Sequence, residues 1–350
     1  MKQRLPVEHF KLPIDEIRSG YYSDSYFVRS KNILEKDNYN PHVMMQVFQR
    51  QHSVVCGVDH AIAILKTCAD HPENLKIRAM FDGDRLEPWD TVMTIEGKLA
   101  DFVHLETVYL GVLSRQTKIA TNVDRVVKAA AGKPVLFFPS RFDHYAVQAE
   151  DGYAAKVGGV TGVSTPANAA YWGGVALGTI PHALIAAYNG DTLAATEAFD
   201  RHIDPAVNRV ALVDFDNDCV RTALEVARKF GPRLYGVRLD TADTLVDVSV
   251  LPYMGSFKPT GVCSRLVRNV RETLDAEGFN HVKIMVSGGF TAEKILAFEA
   301  EKTPADVYAV GSSLFNDNVN FTADIVSIEG KPCAKVGRHY RENPRLFTVD

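Results

Sequence analysis

Residues 209–243 decide the fold; they read RVALVDFDND, then CVRTALEVARKFG, then PRLYGVRLDTAD. The first and last parts contain runs rich in β-branched and other apolar residues. The middle part is amphipathic and ends at the Gly231–Pro232 break. This order predicts a strand, a helix and a second strand, the unit from which parallel α/β structures are built.

Each of these two predicted strands ends in a carboxylate, Asp214 in the first and Asp240 in the second. In a parallel sheet or barrel both lie at the carboxyl edge, where α/β proteins carry their chemistry. Because side chains alternate along a strand, Arg238 shares a face with Asp240. A charged face on an apolar strand is costly unless it binds something polar. The alternative is that each aspartate only caps a helix.

The alternation of strands and helices continues on both sides of this stretch. Strands are predicted at 134–139, 156–160, 177–181, 210–215, 234–240, 282–287 and 306–311. Helical patterns occur at 168–172, 191–199, 219–229, 264–276 and 292–300. Polar residues follow nearly every strand, which favours an α/β barrel over an open sheet with a single switch point.

The two ends of the chain have a different pattern. The Asp82–Gly83 turn signal indicates short antiparallel strands, and apolar spacing over 99–120 predicts a helix. The last residues return to a β-like pattern. We therefore expect an N-terminal α+β domain at 1–120, a catalytic barrel at 121–319, and a C-terminal segment at 320–350 that packs on the N-terminal domain.

Composition narrows the class of protein. A formal net charge of -4 over 350 residues argues against a general nucleic-acid binder. No stretch has the apolar length of a signal peptide core or a membrane span, so we expect a cytoplasmic protein without a membrane partner. The five cysteines are scattered without a CxxC pair, which indicates neither a disulfide framework nor a zinc knuckle.

Glycine-rich turns follow the last two predicted strands. They contain Ser287, Gly288 and Gly289 after one strand, and Gly311 and Ser312 after the other. Only glycine lets the backbone approach a phosphate closely, and the helix that follows the first turn presents its positive end. Two such turns at one edge predict a phosphate site.

The remaining strand ends carry Arg141, His144, Thr161 and His182. The planar fork of Arg141 suits a carboxylate or phosphate, although a surface salt bridge is the alternative. His182 suits acid–base or phosphate chemistry, or a structural role. The two strand-end aspartates suit Mg²⁺ or ribose hydroxyls. The whole set fits a sugar phosphate and a small anionic partner.

Taken together, the motifs resemble the nicotinate phosphoribosyltransferases, which have the type II phosphoribosyltransferase fold and are related to quinolinate phosphoribosyltransferase. The resemblance rests on YYSDSYF (21–27), DGDRLEPWDTVMTIEG (82–97), LETVYLGVLSRQTKIAT (105–121), SRFDH (140–144), GTIPHALI (178–185), LVDFDND (212–218), GVRLDTAD (236–243), VKIMVSGGF (282–290), AVGSSL (309–314) and KPCAKVGR (331–338). It implies an incomplete, about seven-stranded TIM-like barrel. It also implies an N-terminal α+β sandwich domain to which the C-terminal segment returns.

The resemblance implies a reaction as well. Such enzymes join nicotinate to 5-phosphoribosyl 1-pyrophosphate and release pyrophosphate, as a step in NAD biosynthesis. They use Mg²⁺, and some members couple the reaction to ATP hydrolysis. Similar enzymes are homodimers or higher oligomers with shared active sites.

Roles for single residues follow from the same resemblance. Tyr21 of one subunit would cover the base bound in the other, and Arg141 would bind the pyridine carboxylate. The other implied roles are base contacts for His144 and Thr161, base or phosphoribosyl contacts for Arg238, 5′-phosphate binding for Ser287, Gly288, Gly289, Gly311 and Ser312, ribose or Mg²⁺ binding for Asp214 and Asp240, and phosphorylation by ATP for His182. The chain has Ser140–Arg141 where many members carry two adjacent arginines.

Other functions stay open at this point. A nicotinamide enzyme would need no cation for its base, so Arg141 favours nicotinate. A quinolinate enzyme calls for a richer basic cluster to hold a dicarboxylate. An aldolase-like or isomerase barrel needs a base or Schiff-base lysine at a strand end, and Lys156 begins its predicted strand. A non-catalytic binding homologue would not explain so many polar strand ends.

Overall fold

The computed structural model describes residues 3–174, 176–255 and 257–349. Its strands are β1 His42–Phe48, β2 Ser53–Val54, β3 Lys76–Ala79, β4 Arg85–Leu86, β5 Thr91–Lys98, β6 Val135–Phe137, β7 Gly162–Val163, β8 Arg209–Leu212, β9 Leu234–Leu239, β10 Lys283–Val286, β11 Val307–Val310, β12 Thr322–Ile328, β13 Lys331–Pro332 and β14 Phe347–Thr348. Its α-helices are α1 Ile14–Arg18, α2 Ser25–Lys36, α3 Val58–Cys68, α4 Leu99–Phe102, α5 Glu106–Ala129, α6 Gln148–Gly158, α7 Pro166–Ala169, α8 His182–Ala187, α9 Thr192–His202, α10 Cys219–Phe230, α11 Ser264–Ala276 and α12 Ala292–Ala300. No helix within these ranges is long and apolar enough to cross a membrane.

The chain divides into two compact units. The first comprises the described residues up to Thr121 and from Asp317 onward. It contains a six-stranded antiparallel sheet in the order β13-β12-β1-β5-β3-β14. Strands from the end of the chain therefore pair with strands from its first third. Helix α3 is buried along most of its length, because its apolar residues pack into the core of this unit.

Glu106, the first residue of α5, gives the first unit a pH-dependent stability. Burial, helped by repulsion from the nearby Asp324 and Asp24, raises the pKa of Glu106 to about 7. Because the folded-state pKa is above the unfolded value, the stability contributed by protonated Glu106 is lost as the pH rises through about 7. The loss is at most about 3 kcal/mol, since one pKa unit corresponds to about 1.4 kcal/mol.

We expect Glu106→Gln to raise the melting temperature at about pH 8 and to flatten its decline between about pH 4.5 and pH 7. Thermal unfolding followed by circular dichroism over this range checks the prediction. The matched control is Glu73→Gln, which removes an exposed carboxylate. Parallel pH profiles for the wild type and Glu106→Gln would contradict it.

The second unit, residues 122–316, has a mixed α/β fold with a curled, parallel half-barrel sheet. Its six strands lie in the order β7-β6-β11-β10-β9-β8, and every neighbouring pair is parallel. The three apolar residues of β8, at 210–212, are buried, in agreement with the apolar run in the sequence, and the buried Arg209 pairs with Asp200. Five strand predictions are confirmed to within a few residues, at 134–139, 210–215, 234–240, 282–287 and 306–311.

Two strand predictions are wrong. Residues 156–160 lie in the last turn of α6 and just beyond it. Gly159 ends this helix in the left-handed region with φ 108°, and its N–H donates to the carbonyl oxygens of Ala155 and Lys156. Residues 177–181 form no strand; the N–H of Leu177 donates to the Val163 carbonyl at 2.7 Å, and Ala176 forms a single bridge to Val163.

Candidate active site

The carboxyl ends of the parallel strands bring the two predicted aspartates to one edge of the sheet. Asp214 follows β8 and Asp240 follows β9, and these strands are parallel neighbours. Arg238 and Asp240 lie on one face, as side-chain alternation predicted, with Arg238 Nη2 3.2 Å from Asp240 Oδ2. Both side chains are largely enclosed. Enclosure strengthens this ion pair relative to one in water.

Ser287 completes a network with this ion pair. Arg238 Nε donates to Ser287 Oγ at 2.9 Å, and Ser287 Oγ donates to Asp240 Oδ1 at 2.6 Å. Arg238 also makes a long contact of 3.4 Å from Nη1 to Thr179 Oγ1, and its guanidinium lies 5.7 Å from the centre of the Phe138 ring. The network fixes the direction in which the cation and the carboxylate face a ligand.

The Gly288–Gly289 turn follows directly and has the backbone geometry of an anion site. Both residues are in the left-handed region, with φ 81° and 66°. The backbone N–H of Ser287 donates to the Leu239 carbonyl at 2.9 Å. Within the described part of the chain, the N–H groups of Gly288 and Gly289 have no such backbone partner. Successive free N–H groups of this kind form a concave site for phosphate oxygens.

Gly288→Ala tests this turn. An alanine Cβ would lie 3.4 Å from Asp240 Oδ1 and would be strained at φ 81°. We expect the Michaelis constant for a phosphorylated substrate to rise about tenfold or more, because the turn must shift to relieve the strain. Gly278→Ala is the matched control, since its φ is 82° and no atom lies within 4 Å of its added Cβ. If Gly288→Ala and Gly278→Ala lost equal stability and had equal Michaelis constants, the Gly288–Gly289 turn would not be an anion site.

His182 and Asp214 form a second pair at this edge. His182 Nε2 lies 3.1 Å from each carboxylate oxygen of Asp214. Asp214 is 5% exposed and His182 is 46% exposed, so the histidine separates the buried carboxylate from solvent. Burial raises the pKa of Asp214, His182 lowers it, and repulsion from Asp240 raises it again. The two aspartates therefore repel each other across this edge.

The turn after β6 presents Arg141. The preceding residue, Ser140, is held in place by a 2.6 Å hydrogen bond to Asn168 Oδ1 and a 2.9 Å contact with Ser164 Oγ. The Arg141 guanidinium lies 5.3 Å from the centre of the Phe142 ring. Among the described residues no carboxylate forms an ion pair with Arg141, which disfavours the salt-bridge alternative. The exposed fork is available to an anion.

Phe142 connects this turn to the next strand end. A Cβ added at Gly311, which follows β11, would lie 3.1 Å from Phe142 Cε2. Glycine at this position therefore allows the two loops to pack closely. Ser312, the next residue, is exposed at the start of a short 3₁₀ turn.

Three predicted site residues lie elsewhere or have another partner. Thr161 is a correction: its N–H and Oγ1 both donate to the carbonyl of Val135, at 2.9 and 3.1 Å, so it lies at the amino end of β6. The mistaken strand at 156–160 had placed it at the carboxyl end. His144 Nδ1 accepts a 3.2 Å hydrogen bond from Ala146 N and caps a short 3₁₀ turn. Tyr21 belongs to the first unit and is 76% exposed.

Three residues of the site were missed by sequence reasoning, namely Phe138, Thr179 and Asn168. Phe138 lies under the Arg238 guanidinium, Thr179 contacts it, and Asn168 fixes Ser140. Thr179 is part of the GTIPH sequence, and Phe138 precedes a predicted strand end, so position was an available signal. Asn168 gives no such signal, because only folding brings α7 to Ser140.

The known proteins that this chain matches in sequence include phosphoribosyltransferases. A family model described as "Quinolinate phosphoribosyl transferase, N-terminal domain" matches residues 24–117. "Nicotinate phosphoribosyltransferase pncB1" of Mycobacterium tuberculosis is 28% identical over 271 residues, which are 75% of this chain and 56% of that protein. The chain spans about half the length of the curated relatives it matches.

Solved structures extend the likeness to the whole fold. The nicotinate-nucleotide pyrophosphorylase from Pyrococcus furiosus is 34% identical with a TM-score of 0.82, and the match covers 97% of this chain and 85% of that one. Human nicotinic acid phosphoribosyltransferase matches with a TM-score of 0.65 at 16% identity, over 89% of this chain and 76% of that one. The human likeness concerns the fold alone.

Proposed function

Since the chain belongs to the nicotinate phosphoribosyltransferase family, we propose that it joins nicotinate to 5-phosphoribosyl 1-pyrophosphate, giving nicotinate mononucleotide and pyrophosphate in NAD biosynthesis. The observation that carries the proposal is the Arg238–Asp240–Ser287 network beside the free N–H groups of Gly288 and Gly289. It places a carboxylate and a phosphate cradle side by side. A phosphorylated ribose needs both groups for its hydroxyls and its 5′-phosphate.

The proposed reaction needs no side-chain nucleophile. The bond between C1 of the ribose and the pyrophosphate oxygen breaks, and the lone pair of the pyridine nitrogen forms the new bond to C1. Positive charge develops at the ribose in the transition state, where Asp240 and Asp214 stabilise it. Arg141 holds the nicotinate carboxylate so that the ring nitrogen faces C1, which makes positioning a main source of the rate.

Mg²⁺ fits this arrangement as a cation shared with the substrate. Among the described residues no group of three or more His, Cys, Asp or Glu side chains is arranged to hold a metal. Asp214 and Asp240 repel each other, and Mg²⁺ is commonly held by one or two carboxylates together with substrate phosphates. When bound, it would neutralise the leaving pyrophosphate. These two aspartates would hold it.

Three further proposals concern His182, assembly and the sheet. We propose that ATP phosphorylates His182, whose exposed ring contacts Asp214.

We also propose a homodimer in which Tyr21 of one subunit covers the base bound by the other, supported by the exposure of Tyr21 and Tyr26. The sheet would be an incomplete barrel in which residues 176–181 take a seventh position beside β7, supported by the bridge from Ala176 to Val163.

The proposed function is tested by a mass-spectrometric assay of the purified chain. Nicotinate, nicotinamide and quinolinate are offered in parallel with 5-phosphoribosyl 1-pyrophosphate and Mg²⁺, each with and without ATP. Quinolinate is included because the matching family model describes a quinolinate enzyme. We expect nicotinate mononucleotide from nicotinate, faster with ATP. Turnover of quinolinate alone would replace nicotinate as the substrate, and no turnover of any base would contradict the proposal.

A further inference from the structure

A basic cavity lies beside the Gly288–Gly289 turn. It has a volume of about 730 Å³, is open to solvent on one side, and is lined by the loop before α11, the first turns of α11 and one face of α12. This volume is within the range of small-molecule sites. Gly288 and Gly289 line it, whereas Arg238, Asp240 and Ser287 are not among its described lining residues. The cavity therefore adjoins the proposed phosphoribosyl site at the Gly288–Gly289 turn.

Cations outnumber carboxylates in this cavity. Four basic side chains line it against two acidic ones, Asp243 and Glu301. The basic side chains are Lys258, Arg265, Arg268 and Lys294. Arg265 Nη2 lies 3.4 Å from Glu272 Oε2 outside the lining, so the excess of positive charge comes from Lys258, Arg268 and Lys294. Such an excess within a concave site attracts anions.

Lys294 is the most informative of these cations. Its ammonium lies 4.2 Å from the centre of the Phe290 ring and 5.9 Å from that of Phe298. Burial lowers the pKa of Lys294. Lys294 is half-buried, and Asp243 acts on its ammonium electrostatically, but no carboxylate of the described residues forms an ion pair with it. An anion bound in the cavity would supply the missing partner.

The start of α11 adds donors to the same space. Cys263 is its N-cap, and no side chain caps the helix. Two enclosed polar atoms of lining residues, Thr260 Oγ1 and Arg265 Nε, have no hydrogen-bond partner among the described residues. A buried donor without a partner is costly, and a ligand oxygen would remove that cost. The uncapped N-terminus of α11 also favours a negatively charged ligand.

From these observations we propose that the cavity is a second anion site, which binds a phosphate-bearing small molecule. Cations and N–H donors line it on several sides, which suits the several oxygens of a phosphate. The cavity shares the Gly288–Gly289 turn with the phosphoribosyl site. A ligand that fixes this turn changes the affinity for the phosphoribosyl substrate, and by linkage that substrate changes the affinity of the ligand equally.

Calorimetric titration of the purified full chain with inorganic phosphate and with ATP tests the proposal. Each titration is run with and without saturating nicotinate mononucleotide, which fills the phosphoribosyl site. We expect one binding event to persist in the saturated protein and to weaken about tenfold in Lys294→Met, since a charge-assisted contact is lost. Tighter binding of ATP than of phosphate would identify a nucleotide as the ligand, and equal binding would identify free phosphate.

Lys156→Met is the matched control, because Lys156 also lies over an aromatic ring, 5.1 Å from the centre of Trp172, and does not line the cavity. Loss of all phosphate and ATP binding on saturation, or equal binding by wild type, Lys294→Met and Arg268→Gln, would overturn the proposal. If the protein does not bind nicotinate mononucleotide, the proposed function fails separately. In that event the comparison of Lys294→Met with Asp240→Asn still tests the second anion site, since only Lys294→Met should weaken phosphate binding.

Discussion

Asp240→Asn is expected to lower kcat/KM for 5-phosphoribosyl 1-pyrophosphate about a thousandfold, because a preorganised charge at the reacting centre is lost. The Asp240 carboxylate accepts from Ser287 at 2.6 Å and pairs with Arg238 at 3.2 Å. Asparagine keeps the shape but leaves the Arg238 cation without its counter-charge. Steady-state kinetics with nicotinate mononucleotide as the measured product checks this.

The matched control for this substitution is Asp216→Asn. Asp216 also follows β8 at the carboxyl edge, but it pairs with the exposed Arg221 on α10. We expect its kcat/KM to stay within about twofold of the wild-type value, as surface ion pairs contribute little. Similar losses in both variants would show that the edge needs net negative charge instead of the Asp240 network.

Arg141→Ala is expected to raise the Michaelis constant for nicotinate about a hundredfold while kcat changes little, since removal of uniform binding affects KM alone. The Arg141 fork has no ion-pair partner among the described residues, so its removal leaves no buried charge behind. Arg141→Lys should recover only part of the affinity, because lysine cannot form the bidentate contact. The same variants assayed with nicotinamide provide the control, as an amide gains little from the cation. An unchanged Michaelis constant for nicotinate would refute the role of Arg141.

Much of the second unit was predictable because its signals are local. The strand–helix–strand unit at 209–243 alternates between continuous apolar runs and one amphipathic helix, and the structure reproduces it as β8, α10 and β9. The shared face of Arg238 and Asp240 followed from side-chain alternation alone and is confirmed. Helices α11 and α12 have the predicted bounds.

The errors arose where β-rich composition and tertiary structure disagree. The valines and glycines of 156–160 favour a strand locally, but Gly159 serves as a helix C-cap and the strand starts at Gly162. Because of that error, Thr161 was predicted at the carboxyl end of the sheet, whereas it lies at the amino end. The 177–181 segment lacks a full ladder of strand hydrogen bonds, which sequence patterns do not reveal.

The site was predictable as a set of residue types, and its connections were not. The pairing of His182 with Asp214 and the position of Ser287 between Arg238 and Asp240 join residues that are far apart in the chain. Such contacts depend on the order of the strands in the sheet, which the sequence pattern did not predict. Phe138 and Asn168 act through packing and hydrogen bonds of this kind.

The most direct measurement is a crystal structure of this protein with nicotinate mononucleotide. We predict that the 5′-phosphate lies on the N–H groups of Gly288 and Gly289, the ribose hydroxyls on Asp240, and the pyridine carboxylate on Arg141. Nicotinate mononucleotide bound away from this edge, or with its phosphate at the amino ends of the strands, would contradict the account.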